Sequence, residues 1–178
     1  MNCDIKEILL SEKQINEKVK ELGAKISQDY KDKDLFVVVI LKGSVIFAAD
    51  LLREISIPVT IDFISVSSYG SGTTSGQVKI IKDLSCSIEG KNVLIIEDIL
   101  DSGNTLFNLT KMLGERNPES IEICTLLNKP ERREAEVNTR YSGFDIPDEF
   151  VVGYGLDYAE KYRNLPYIGI LKREIYEK

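Results

Sequence analysis

The stretch VLIIEDILDSGNTL, residues 93–106, sets three carboxylates, Glu97, Asp98 and Asp101, directly before a Ser-Gly-Asn-Thr turn. Gly103 lets the backbone turn tightly. Ser102, Asn104 and Thr105 offer side-chain hydrogen bonds beside the free amides that open a helix. Donors and dipole together make a phosphate site. Carboxylates so close would repel a bare phosphate. They make sense if the ligand also carries hydroxyls and a divalent cation. Glu97 and Asp98 can then accept from a ribose diol, and Asp101 can sit over the carbon that reacts. The plainer reading, acids that cap a helix and solvate a loop, suits any one of them better than the whole set after a buried strand.

Two other stretches carry chemistry. LKGS, residues 41–44, puts one cation, Lys42, and the bare backbone of Gly43 at a strand end, where pyrophosphate could lie. By itself it is an ordinary turn. EFVVGYGLDYAEKYRNLPYIGIL, residues 149–171, holds Asp157, an oxygen ligand suited to Mg²⁺, and Arg163, whose planar fork suits pyrophosphate. Phe150 offers a flat face to a base, although a strand Phe is usually core. Tyr154, Tyr158 and Tyr162 read equally well as packing residues. The chain has no histidine, so His-based triads and His-ligated metals are excluded.

These groups need a scaffold. SEKQINEKVKELGAKI opens on Ser11 and Gln14, a capping box, and sets Ile15, Val19, Leu22 and Ile26 on one helical face. LFVVVI, residues 35–40, is a β-branched run typical of a strand buried on both faces. VIFAADLLREI reads as a helix and VTIDFISV, residues 59–66, as a strand. Residues 67–79, SSYGSGTTSGQVK, have almost no large apolar side chain and read as a mobile loop. VKIIKDL, VLII, IEICTLLN and FVVGYGL read as further strands, and residues 105–116 as a helix. Repeated strand–turn–helix units predict an α/β fold, a mostly parallel sheet flanked by helices, with ligands at the carboxyl ends of the strands.

Composition bounds the rest. A chain of 178 residues with 43% apolar and 29% charged residues fits one domain, residues 1–178. The net charge of −6 argues against a polybasic nucleic-acid or membrane surface. Cys3, Cys86 and Cys124 lack metal-ligand spacing and read as free thiols, and with no apolar leader or span the expected compartment is the cytoplasm.

VLIIEDILDSGNTL resembles the phosphoribosyl-pyrophosphate motif of the type I phosphoribosyltransferases. No Gly-Lys-Ser/Thr follows, which disfavours a P-loop. With LKGS, SSYG, LLNKPERR and EFVVGYGLDYAEKYRNLPYIG, the likeness extends over about residues 8–172 and is specific to the hypoxanthine-guanine, purine-salvage branch. Residues 133–146 match loosely and receive no role.

The resemblance implies a twisted parallel sheet with a small hood built from the N- and C-terminal segments and a flexible active-site loop at about 67–79. It implies transfer of a phosphoribosyl group from phosphoribosyl pyrophosphate to a 6-oxopurine, with Mg²⁺ as cofactor and a homodimer or homotetramer as the assembly. By the same likeness Glu97 and Asp98 hold the ribose diol, residues 102–105 the 5′-phosphate, and Asp101 accepts the purine N7 proton. Lys42, Gly43, Ser68, Tyr69 and Arg163 receive pyrophosphate, and a cis peptide precedes Lys42. Glu97, Asp98 and Asp157 face the metal. Lys129 reads the 6-oxo group, Phe150 stacks on the ring, and Val151 and Asp157 add main-chain contacts. A xanthine- or pyrimidine-specific enzyme, an RNA-binding regulator on the same fold, and a purely structural module are the competing readings. The first is disfavoured by Lys129 and FVVGYGLDY, the second by the acidic charge balance.

Overall fold

The computed structural model describes residues 2–68 and 78–177. In chain order the elements are β1 (Ile5–Leu10), α1 (Glu12–Asp29), β2 (Leu35–Leu41), α2 (Val45–Glu54), β3 (Val59–Ser68), β4 (Val78–Lys82), β5 (Asn92–Leu100), α3 (Asn104–Gly114), β6 (Ser120–Asn128), β7 (Tyr141–Asp145), β8 (Val151–Val152), β9 (Ile168–Leu171) and α4 (Arg173–Tyr176). The apolar runs take the middle of a six-stranded sheet ordered β4-β3-β2-β5-β6-β7. Its strands are parallel except β4, which lies antiparallel at one edge.

β2 explains why the sheet has two cores. Its side chains alternate, so Leu35, Val37 and Val39 enter one core with α1 and α2. Phe36, Val38 and Ile40 enter the other with Leu106, Leu109 and Leu113 of α3. Each buried aliphatic of this kind stabilises the fold by about 1.5–3 kcal/mol. The α1 start is the expected capping box, Ser11 and Gln14 serving each other's backbone, a device contributing about 1 kcal/mol. Ile15, Val19, Leu22 and Ile26 are buried as the helical spacing requires.

The second sheet, ordered β1-β9-β8, is antiparallel and joins the first strand to the last. Here the sequence expectation needs correction. FVVGYGL is no long strand of the main sheet. Only Val151 and Val152 are extended, and positive φ values at Gly153, Tyr154 and Gly155 turn the chain away. Tyr154 and Tyr162 are buried packing residues. The expected loop is also narrower at both ends. Ser67 and Ser68 extend β3, and Val78 and Lys79 open β4. The remainder, residues 69–77 with Tyr69, lies outside the described residues, as does the test of its mobility. No helix among the described residues is long and apolar enough to cross a membrane.

Candidate active site

The carboxyl ends of β2, β5 and β6 meet above the main sheet, and the groups singled out by sequence gather there. β5 runs further than its apolar core suggests, so Glu97 and Asp98 are strand residues and not part of the turn. They serve different flanks. Glu97 lines a hollow of about 80 Å³ with Asp101, Ser102, Gly103 and Thr105. Asp98 turns to the LKGS segment, where a Cβ on Gly43 would overlap its Oδ2. Gly43 is therefore required by close approach.

The hollow at the α3 start is built by the backbone. Gly103 takes φ 87, a left-handed value, as the residue before the helix. A Cβ there would also sit 2.8 Å from the Ala135 carbonyl oxygen. The Ser102 carbonyl accepts from the Glu134 and Ala135 amides at 2.9 and 3.0 Å. The connection after β6 thus forms the outer wall. One expected donor is turned elsewhere: the Asn104 side-chain amide donates to Glu134 Oε2 at 2.6 Å. A neighbouring carboxylate thus takes the Asn104 side chain, while its backbone N–H donates to Ser102 Oγ at 3.4 Å.

On the other flank, a cis peptide joins Leu41 to Lys42, as the likeness implied. A Cβ on Gly155 would overlap the Gly43 carbonyl, so the two turns are in contact. Arg163 donates to the Gly155 carbonyl at 2.8 Å and pairs with Asp157 Oδ1 at 2.8 Å. Its Nε is shielded from solvent and has no hydrogen-bond partner. Glu160, which sequence reading passed over, lies 3.2 Å from Lys42 Nζ and 3.4 Å from Arg163. Arg163 and Lys42 hold its carboxyl below the usual range, Lys42 being the larger influence.

The central acids are uncompensated. Burial, reinforced by the charge of Asp98, pushes the Glu97 carboxyl well above its ordinary range. Burial also pushes Asp98 up to about 6, with Arg163 opposing and Asp157 adding to the shift. The two stay partly open to solvent at the cleft while protein surrounds most of each carboxyl. Two carboxyls whose ionisation is resisted by burial for want of a facing cation, with oxygen donors only, are the chemistry a hard divalent cation satisfies. Among the described residues no three carboxylates or thiolates form a closed cage. That fits Mg²⁺, which takes one or two carboxylates and completes its shell with water and phosphate oxygens.

The raised Asp98 value has a testable sign. The folded chain keeps this proton between about pH 4 and 6 while the unfolded chain releases it. The stability contributed by the protonated form is present below pH 4 and is lost as pH rises through 6. Asp98→Asn, which cannot ionise, should gain on the wild type across that interval by roughly 1–2 kcal/mol after allowance for partial exposure, then level off. Urea midpoints of both proteins at four pH values measure it. A constant difference would remove burial as the cause.

The groups expected to face a base lie beside strands of both sheets. Lys129 follows β6 and is 7% exposed, an unusual depth for a lysine. Its Nζ donates to the Glu149 carbonyl at 2.8 Å and lies 3.6 Å from Asp148. Phe150 is 36% exposed. Tyr176 stacks on its ring at 4.7 Å, and Tyr158 meets it edge-on at 5.7 Å. Val151 is buried, with its backbone registered against Ile170. Ser68 ends β3 and pairs with Val78. Arg132, 2.9 Å from Asp101, and Arg133, bonded to the Leu100 and Asp101 carbonyls, were not foreseen. The basic doublet after NKPE was the available signal.

A larger hollow, about 570 Å³, opens between the middle of α3 and the start of β6, at the opposite end of the sheet. It is lined by Lys111, Glu122 and Glu136 among apolar neighbours, without the glycine turn and strand-end acids of the smaller hollow, so size does not decide the site.

Comparison with known proteins finds relatives along the whole chain. A family described as "Phosphoribosyl transferase domain" matches residues 6–159. The hypoxanthine-guanine phosphoribosyltransferase of Staphylococcus epidermidis is 58% identical over 179 residues, with 100% of both chains covered. A crystal structure of a Staphylococcus aureus hypoxanthine phosphoribosyltransferase superposes with TM-score 0.97 at 56% identity, covering 100% of this chain and 97% of that one. A Bacillus anthracis hypoxanthine-guanine phosphoribosyltransferase structure gives TM-score 0.91 at 53% identity, covering 94% of this chain and 99% of its own. A likeness of this extent, over a site with these residues, places the chain in the phosphoribosyltransferase family, in its hypoxanthine-guanine branch.

Proposed function

We propose that this protein transfers the 5-phosphoribosyl group from phosphoribosyl pyrophosphate to N9 of hypoxanthine or guanine, releasing pyrophosphate, in purine salvage. One observation carries the reading: an anion hollow and a cationic turn flank a pair of acids at the ends of adjacent strands. That spacing suits a ribose carrying phosphate at one end and pyrophosphate at the other.

In this reading the amides and hydroxyls of Ser102, Gly103, Asn104 and Thr105 bind the 5′-phosphate. Glu97 and Asp98 accept from the ribose hydroxyls. Lys42, the Gly43 backbone and Arg163 hold pyrophosphate, with Ser68 and Tyr69 adjacent, and the unpaired Arg163 Nε is a donor in reserve. Breaking the bond at the anomeric carbon builds oxocarbenium-like charge, which the acids favour, and negative charge on the leaving group, which the cations favour. Phe150 orients the base. Lys129 donates to its 6-oxo oxygen, Val151 and Asp157 add main-chain contacts, and Asp101 takes the N7 proton.

Mg²⁺ would be held by Asp157 with Glu97 and Asp98 near, and would supply charge neutralisation to pyrophosphate. We assign the assembly as a homodimer or homotetramer on the exposed Ile61 and Phe63 of β3 and Ile81 of β4. Sedimentation of the active protein reads this, and a fully active monomer would discard it. A cytoplasmic site of action fits the three free cysteines.

The deciding experiment incubates the protein with phosphoribosyl pyrophosphate, Mg²⁺ and each free base. Hypoxanthine and guanine should yield nucleotide and adenine none. A chelator should abolish the reaction and added Mg²⁺ restore it, with an unchanged circular dichroism spectrum. Nucleotide formation from uracil alone, or none from any base, would overturn the assignment. Unfolding on chelation would contradict a substrate-borne metal.

A further inference from the structure

We propose that Arg132 is a positioning residue for Asp101: its guanidinium fixes the Asp101 carboxylate, and through Asp148 the Lys129 ammonium, in register for an incoming purine. The inference rests on the 6-oxopurine reading above.

Four groups of alternating charge form one chain. Arg132 Nε lies 2.9 Å from Asp101 Oδ1. Arg132 NH1 lies 3.4 Å from Asp148 Oδ1, and that same oxygen lies 3.6 Å from Lys129 Nζ. The proposed proton acceptor and the proposed reader of the 6-oxo group are thus tied through a single Arg–Asp pair. The adjacent Arg133 does something separate. It bonds the Leu100 and Asp101 carbonyls and Asn128 Oδ1, fixing backbone. Of the two arginines, only Arg132 holds the Asp101 carboxylate.

The geometry at Asp101 is what a held proton acceptor needs. Oδ1 is shielded from solvent yet accepts no aligned hydrogen bond, so Arg132 meets it by charge contact and leaves acceptor capacity unused. The Asp101 side chain as a whole remains 43% exposed, so part of it faces the cleft. A carboxylate next to Glu97 and Asp98, and beside bound phosphates, would otherwise be repelled and free to rotate. A planar guanidinium on one oxygen limits that rotation. The chain sums to zero charge. A neutral purine therefore desolvates paired charges and not isolated ones, which is the less costly case.

A simple surface role is the competing account. Arg132 is about half exposed, and exposed pairs add little to stability. A double-mutant cycle on kcat separates the two. Wild type, R132M, D101N and the double variant are assayed with hypoxanthine, alongside R132K and melting temperatures. R132M should lower kcat by about 10–100-fold, the scale of a misplaced group, with the KM for phosphoribosyl pyrophosphate within about two-fold. R132K should recover part of the loss. In the D101N background R132M should cost several-fold less, the remainder being what reaches Lys129 through Asp148. Equal loss in both backgrounds, or no loss in the wild-type background, overturns the proposal. If R132M fails to fold, R132K carries the same cycle. A wild-type protein that makes no nucleotide would instead overturn the 6-oxopurine reading itself, so the two failures are distinct.

Discussion

Asp101→Asn lowers turnover by about 10²–10⁴-fold while phosphoribosyl-pyrophosphate binding changes little: that is the expected result if Asp101 is the general base. The substitution keeps the shape of the side chain and removes its charge. The 5′-phosphate hollow is built by the Gly103 backbone and by the Glu134 and Ala135 amides on Ser102, none of which the substitution touches. Arg132 then loses one of its two anionic partners and keeps only Asp148, which leaves net positive charge beside the proposed base site. Loss of kcat should therefore be joined by a modest rise in purine KM. Single-turnover chemistry and equilibrium binding of phosphoribosyl pyrophosphate, measured side by side, check both parts. Near-normal turnover would remove Asp101 from proton transfer.

Lys129→Met should weaken use of hypoxanthine and guanine by ~1.5–3 kcal/mol, about 10–150-fold in kcat/KM. A buried ammonium has three donors and no acceptor. Lys129 spends one donor on the Glu149 carbonyl, which leaves others for a 6-oxo oxygen. The 6-amino group of adenine offers no acceptor, and a desolvated donor pair facing each other discriminates strongly. Methionine matches the length without the charge. It should leave phosphoribosyl-pyrophosphate binding nearly unchanged, because that ligand is assigned to the 102–105 turn. Full 6-oxopurine activity in the variant, or loss of phosphoribosyl-pyrophosphate binding instead, would show that Lys129 is not the base reader.

Much of the scaffold was legible because it is local and periodic. β2, α1 and α3 announce themselves by apolar spacing, and the capping box at Ser11 is written within four residues. What escaped was non-local. β1 does not alternate buried with exposed positions and buries only Leu10 fully, so its strand identity comes from β9, more than 150 residues away. β8 has two residues and no period to read. At the candidate site, the turn and its acids were legible as groups that the fold brings together at the end of β5. The diversion of Asn104 to Glu134, the bridging by Glu160 and the grip of Arg132 on Asp101 were not. Each depends on which distant side chain the fold delivers, and a surface arginine in a basic doublet looks solvated until a carboxylate is placed against it.

The small sheet has a consequence for how the molecule is made. β1 is translated more than 150 residues before β9, and β1 and β8 both pair with β9. The residue beside β8 is Phe150, whose carbonyl accepts from Leu171 at the end of β9. The main sheet has all its strands once Asp145 is synthesised, and with them the phosphate turn. The wall that carries Phe150 must wait for the final strand. A translation product broken off before β9 thus holds Glu97, Asp98 and Asp101 yet lacks the strand that supports the backbone at Phe150.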